Sequence, residues 1–314
     1  PPEKFSEHIS VKTEGCYLCN LKCLRHFIIK NEKYKSDCSA FYRLLPMLSS
    51  NWLISNPDTL AHAVALCNDY GVDSNSICNV IGFAMECAEK NLITENINFG
   101  NEVAVIELIK KIARRESIGN ELAEGIKRYS EKINVTDFAA HVKGLEMSYD
   151  ARAFPALALG YITSNAGDLP AKLLELEHTK YSSEDFVRVV KYVQEESSVI
   201  DSLVMCQLLP LETKDLVELT NATTGLELDE QEYLKIGERI WNLTRVFNVR
   251  EGISRKDDTL PKRFTQEPLH LSDGKELKIT KDEIDRMLSN YYSVRGWDEN
   301  GIPKKEKLAE LGLI

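Results

Sequence analysis

The sequence predicts a mainly α, multihelical protein of two domains, with at most a few short strands. Three observations lead there. Apolar residues recur at helical spacing in about eight to ten segments. Capping residues and glycines stand where those segments begin and end. Few stretches read as strand: residues 8–12, and an apolar pair around the Asp273-Gly274 turn in 269–279. The 314 residues are enough for two ordinary domains, with a break expected near 134–137, giving 1–134 and 135–314.

In chain order, 1–14 is polar apart from the short strand, and a cysteine loop follows. Residues 24–29 are apolar. The polar stretch 31–39 reads as a loop. Residues 41–48 are apolar, but Pro46 is expected to break any helix there. Segment 58–70 places Leu60, Ala63, Val64 and Cys67 on one helical face, and Gly71 suits its stop. Segment 74–91 does the same with Ile77, Val80, Ile81, Ala84 and Cys87. Cys67, Cys78 and Cys87 lie on or beside these faces and read as core. Helices are expected at 102–115 and 120–130. The stretch 141–152 has no period and reads as a functional loop. Residues 154–164 are small and apolar, a closely packed helix. Ser182 or Ser183 can cap a helix to about 196, and 199–209 is apolar. Further helices are expected at 212–222, stopped near Gly225, and at 229–249, with Tyr233, Ile236, Ile240, Leu243, Val246 and Phe247 as its apolar face. Arg239, Arg245 and Arg250 read as its solvated face. Thr280 and Glu283 form a capping box opening a helix to about 292, and 304–311 is a last short helix.

Composition excludes several classes. The net charge is −10 and no long basic stretch occurs, so nucleic acid is not the expected partner. No apolar run is long enough to span a bilayer, and the polar start Pro-Pro-Glu-Lys is not a signal peptide. The chain does not begin with Met, which points to part of a longer protein. Eight cysteines in a chain this long are too sparse for a disulfide scaffold and suit a reducing, cytoplasmic setting.

The chemistry concentrates in Cys16, Cys19 and Cys23, spaced C-x2-C-x3-C. Three soft sulfur ligands on one tight loop suit an iron–sulfur cluster or a zinc ion, and the spacing alone does not separate them. Either wants a fourth ligand.

The cysteine loop resembles that of the tungsten-containing aldehyde:ferredoxin oxidoreductase family. That family's fourth cluster ligand ends a D-x4-C motif, which Asp201-Ser202-Leu203-Val204-Met205-Cys206 resembles. Its first pterin motif, D-x-x-G-L-D, is similar to Asn68-Asp69-Tyr70-Gly71-Val72-Asp73. Further similar stretches are 142–146, Tyr161 to Gly167, Arg239 to Arg245, 247–252 with 257–261, and Tyr291 to Asp298. The resemblance runs through nearly the whole chain but corresponds only to the family's two helical domains; its N-terminal β-rich domain has no counterpart here.

The resemblance implies tungsten (or molybdenum) held by two pterins, a magnesium ion bridging their phosphates, and a [4Fe–4S] cluster. It implies oxidation of an aldehyde to a carboxylic acid, with ferredoxin as electron acceptor, and leaves room for a homodimer. Cys16, Cys19, Cys23 and Cys206 would be the cluster ligands, joining the two domains. Asn68, Asp73 and Asp201 would meet the pterins, and Lys172 could meet a phosphate or pterin oxygen, its plainer reading being a surface lysine. An Asp201 buried in an apolar run would need a partner.

Three positions depart from the family. Asn68 replaces an Asp. Residues 34–42 lack the family's glutamate, for which Asp37 is a poor stand-in. The stretch 163–170 has Ala166 for an Arg and no His, leaving His141 and Asp168 as the nearest acid–base substitutes. Two rival expectations follow: a catalytically degenerate iron–sulfur electron-transfer or scaffold protein, and a zinc-stabilised helical protein.

Overall fold

The computed structural model describes residues 10–30, 33–152, 154–167, 169–170, 172–173 and 183–314. Among them are thirteen α-helices and three small antiparallel sheets, the mainly α architecture expected. None of the helices is long and apolar enough to cross a membrane. The chain forms two compact units, Pro1–Ser148 and Tyr149–Ile314.

The first unit opens with a meander of β1 (Ser10–Glu14), β2 (Leu24–Lys30) and β3 (Lys35–Phe41). Residues 8 and 9 of the expected first strand lie outside the described residues. β3 corrects the loop expected at 31–39. Its polar residues pair in register with β2, from Leu24 opposite Phe41 to Lys30 opposite Lys35. The paired sheet buries Phe27, Ile29 and Ala40 and leaves Lys35 and Asp37 outside. Pairing with an apolar neighbour outweighs weak local propensity.

Pro46 does not prevent a helix. It sits in the first turn of α1 (Leu44–Trp52), where a missing N–H loses no intrahelical bond, and Leu44, Leu45, Leu48 and Trp52 are buried. Next come α2 (Pro57–Tyr70), capped by Asn56, α3 (Ser74–Glu89), capped by Asp73, and α4 (Glu102–Arg114), capped by Asn101. Cys67, Cys78 and Cys87 are buried as expected, and burial pushes each thiol up to about 12.

The single helix expected at 120–130 is two, α5 (Ile118–Leu122) and α6 (Gly125–Lys132). The chain turns between them, and the Ile126 N–H at the start of α6 donates to the Glu146 carboxylate at 2.9 Å. Glu146 belongs to a hairpin of β4 (His141–Val142) and β5 (Leu145–Glu146), not to the loop expected at 141–152. Lys143 and Gly144 both have positive φ (53° and 99°), the signature of a tight two-residue hairpin turn. The hairpin packs on α3 and α6, within the compact unit that runs to Ser148.

In the second unit α7 (Pro155–Thr163) is buried on every side. It packs on α8 (Ser183–Ser202), which runs past the end expected at 196. The next helix is α9 (Thr213–Thr224). α10 (Glu230–Arg250) crosses α8 closely at Gly237, where a Cβ would overlap the carbonyl oxygen of Glu195. α10 turns a face to the core that its apolar pattern did not indicate. Leu243 and Phe247 are about half exposed, while Gly237, Asn242 and Arg245 are buried. Arg245 is therefore no surface residue. Its guanidinium is bidentate to Asp258 (3.0 and 2.6 Å), donates to the Gly301 carbonyl and stacks over Trp297. After a short 3-10 turn come α11 (Lys262–Gln266), then β6 (Leu269–His270) and β7 (Glu276–Leu277) around the expected turn. α12 (Lys281–Arg295) has the Thr280/Glu283 capping box, and α13 (Lys305–Glu310) ends the chain.

Candidate cofactor site

In the first unit, the loop between β1 and β2 presents Cys16, Cys19 and Cys23 as free thiols, the first exposed and the others half-buried. The Cys19 N–H donates to the Cys16 carbonyl at 2.9 Å, and the Tyr42 N–H donates to the Cys23 carbonyl at 3.1 Å. Leu18 and Lys22 have positive φ (58° and 48°), and a Cβ on Gly15 would come within 2.9 Å of the Cys19 carbonyl oxygen. The loop thus folds back tightly on itself, while Tyr17 and Leu18 at its tip are 93% and 84% exposed. Its donor set, three thiols on one exposed turn, fits a thiophilic metal or cluster. Among the described residues, however, no three His, Cys, Asp or Glu side chains already form a metal-holding group.

Asn68 and Asp73 lie at the α2–α3 joint, both exposed. Asp73 caps α3 by accepting from the Ser76 N–H at 2.6 Å, so one of its oxygens has a structural task. His141 stands opposite Glu146 in the hairpin. Its Nδ1 is buried without a hydrogen-bond partner. Burial, aided by Lys127, lowers its pKa below the ordinary histidine value.

In the second unit the end of α8 leads into the turn carrying Cys206. Cys206 is exposed and is not on a helix, although the stretch 199–209 is apolar. Asp201 is exposed too, and so is not the buried carboxylate its apolar neighbours suggested; it accepts from Gln207 Nε2 at 2.8 Å. Val204, between them, has a φ of 56° and is 93% exposed. Lys172 is not a free surface lysine. It is ion-paired at 2.6 Å with Glu196, whose side chain is 2% exposed. Asp168 lies outside the described residues.

Asp201 borders a cavity of about 480 Å³. Three of the stretches quoted above meet there: Ser164 and Asn165 from the first, Asp201 from the second, Trp241 and Thr244 from the third. Two buried polar atoms on this wall have no partner, Asn165 Oδ1 and Ser197 Oγ. Buried polar atoms are normally satisfied, so these fit a ligand that donates hydrogen bonds. Asn165 is itself fixed, its Nδ2 donating to the Trp241 carbonyl at 3.1 Å and its carbonyl accepting from Asn248 at 2.8 Å.

Behind the wall is a buried network. Gln194 Oε1 accepts from Tyr291 (2.6 Å) and Arg295 (2.9 Å), and Gln194 Nε2 donates to Thr163 Oγ1 (2.9 Å). Tyr291 accepts from Trp241 Nε1 (2.9 Å), and Arg295 pairs with Glu195 (2.5 Å). Gln194 and Ser197 were not singled out from sequence. A signal was present: five successive polar residues, 194–198, inside one helix, all of them buried.

The sequence profile described as aldehyde ferredoxin oxidoreductase, domains 2 and 3, matches residues 2–313. The chain belongs to the aldehyde ferredoxin oxidoreductase family. The tungsten-containing aldehyde ferredoxin oxidoreductase of Pyrococcus furiosus is 33% identical over 332 residues, covering 99% of this chain and 54% of that protein. The enzyme of the same name from Thermococcus kodakarensis is 32% identical with the same coverage. A second Pyrococcus furiosus protein, an aliphatic sulfonate oxidoreductase WOR-like subunit, is 30% identical over 95% of this chain and 50% of its own length. The chain thus spans about half the length of these relatives. Among solved structures, the active site complex BamBC of benzoyl coenzyme A reductase, in complex with 1,5-dienoyl-CoA, shares the fold. Its TM-score is 0.77 at 20% identity, covering 99% of this chain and 54% of that one.

Proposed function

We propose that this chain is the C-terminal part of an oxidoreductase that converts an aldehyde and water into a carboxylic acid, two protons and two electrons, with ferredoxin taking the electrons one at a time. The observation that carries the reading is the second unit's cavity. Three stretches resembling the family converge on it, and it holds two buried polar atoms without partners. When bound, a tungsten or molybdenum bis-pterin would supply the two-electron oxidation and a [4Fe–4S] cluster the one-electron exit.

The chain's own residues have simpler tasks. Cys16, Cys19, Cys23 and Cys206 would be the cluster ligands. Asn165 Oδ1, Asp201 and the second oxygen of Asp73 accept hydrogen bonds, and so suit the N–H edges of a pterin. Lys172 is held by Glu196 and would have to exchange that partner to reach a phosphate. Burial and Lys127 hold the His141 pKa below the ordinary histidine value, and its Nδ1 is buried without a partner. The family's β-rich domain would complete the site, and this chain alone would be inactive. Its free thiols suit the reducing cytoplasm.

The test uses the full-length protein, purified without oxygen, with metal analysis and a panel of aldehydes plus one aliphatic sulfonate as reductants of benzyl viologen. Tungsten or molybdenum, iron and an aldehyde-dependent rate support the proposal. Iron without any aldehyde oxidation supports the degenerate electron-transfer reading instead, and zinc alone overturns both.

A further inference from the structure

The segment around the cysteine loop differs in charge from the rest of the protein. From residue 12 to residue 43 there are seven lysines and arginines against three acids, in a chain whose net charge is −10. Some of this charge is neutralised locally, Lys12 by Glu14 and Lys33 by Glu102. Among the described residues, neither Lys22 nor Arg25 has a carboxylate partner; Arg25 donates to the carbonyls of Lys22 (3.0 Å) and Leu24 (3.1 Å).

A further cation, Arg43, joins Arg25 beside the loop. Arg25 and Arg43 flank the Tyr42 ring, with their guanidinium carbons 5.9 and 5.3 Å from its centroid, and Arg43 Nε donates to the Tyr42 hydroxyl at 2.6 Å. Tyr42 is bonded through its N–H to the Cys23 carbonyl. Tyr17 and Leu18 stand almost fully exposed at the tip of the loop, and Tyr42 is partly exposed. Exposed aromatic and apolar side chains and cations thus stand on the turn that carries three thiols and on the residues bonded to it.

We infer that this surface docks a small acidic electron-carrier protein, with Lys22, Arg25 and Arg43 as its electrostatic contacts and Tyr17 and Leu18 as its apolar ones. This rests on the proposed function, in which the three thiols hold the group that releases electrons. An acidic partner is repelled by most of a chain at −10 and attracted at this patch, so the charge pattern orients the encounter as well as speeding it. Each encounter would pass one electron to the carrier, oxidising the group that the thiols would hold and reducing the carrier. No bond is made or broken, and two encounters follow each aldehyde oxidised. Other occupants, such as the remaining half of the protein or a second copy of it, are outcomes of the test.

The experiment uses the full-length protein and a small acidic ferredoxin as probe. Binding is measured for wild type, for Lys22→Glu with Arg43→Glu, for the milder Lys22→Gln with Arg43→Gln, and for a control outside the patch, Lys275→Glu. At low ionic strength the double reversal should weaken binding about tenfold or more and the neutral pair less, with the control unchanged. At about 0.5 M salt the difference should vanish. Iron content and viologen reduction should stay at wild-type values, since viologen needs no docking surface. Affinity within twofold of wild type at low salt would overturn the inference. So would protection of Lys22 from amine labelling in the free full-length protein, which would assign the patch to an internal or dimer interface. If wild type oxidises no aldehyde, the proposed function fails on that assay, while the binding series still decides this surface.

Discussion

Asp258→Asn should be among the most damaging isosteric changes in the second unit. Both members of the Arg245–Asp258 pair have fully buried side chains. The pair is bidentate, Asp258 also accepts from the Tyr292 hydroxyl, and Arg245 donates to Gly301. Asparagine preserves shape but removes the charge. With an effective dielectric of about 20, unit charges about 4 Å apart attract by about 4 kcal/mol. Removing one member of a buried pair, which leaves the other charged and dry, costs about 3–5 kcal/mol. The two figures agree. The expected loss of about 4 kcal/mol corresponds to roughly a thousandfold faster amide exchange wherever exchange requires opening of this unit. Hydrogen-exchange mass spectrometry of peptides from α10 and α12 reads this directly, without interference from the first unit. The double variant Arg245→Met with Asp258→Leu should recover most of the loss, because apolar replacement of a buried pair is often neutral. If Asp258→Asn changes exchange by less than about threefold, or if the double variant loses as much as the single variants added together, the argument for a coupled buried pair is wrong.

Cys206→Ala in the full-length protein should lose most of its iron, of which about four atoms per chain are expected for one cluster; full iron retention would remove Cys206 from the ligand set. Gly237→Ala should cost about 3 kcal/mol or more, because the added methyl meets the backbone carbonyl of Glu195 and not a side chain that can rotate away; an unchanged thermal midpoint would contradict the close α8–α10 crossing. His141 has a lowered pKa from burial and Lys127, so as pH falls below about 6.5 the unfolded chain takes up the proton first and stability declines, while above that it is flat. His141→Gln should reduce the loss between pH 7.5 and 5.5 in urea titrations, leaving a remainder from His62, whose pKa burial also lowers; an unaltered slope would assign the acid sensitivity elsewhere.

Features set by local chemistry were legible before the structure. The α12 capping box, the glycine stop after α2 and the three core cysteines follow from residue type and spacing. So does the three-thiol loop, because no core packing requires that spacing. What stayed hidden depends on partners distant in sequence. β3 is polar and becomes a strand only against β2. Arg245 reads as solvated until Asp258, thirteen residues on, meets it in the core. The apolar stripe of α10 points partly outward because a glycine, an asparagine and an arginine fill its buried side. The cavity was half visible: Asp201 and Asn165 lie in quoted stretches, whereas Gln194 and Ser197 matter only because α8 carries five polar residues into the interior.

The hydrogen bonds that hold Gln194, Tyr291 and Arg295 lie behind the cavity and leave Asn165 Oδ1 and Ser197 Oγ on its face uncommitted. Gln194 and Trp241 on the wall are thus held from behind by Tyr291 and Arg295, which do not line the recess. A ligand finds the wall already set and forfeits little freedom of the protein on entering. Substitutions at the two uncommitted positions would alter what is recognised while the helices behind them stay in place. Such a frame can pass from one chemistry to another by changes at its lining alone.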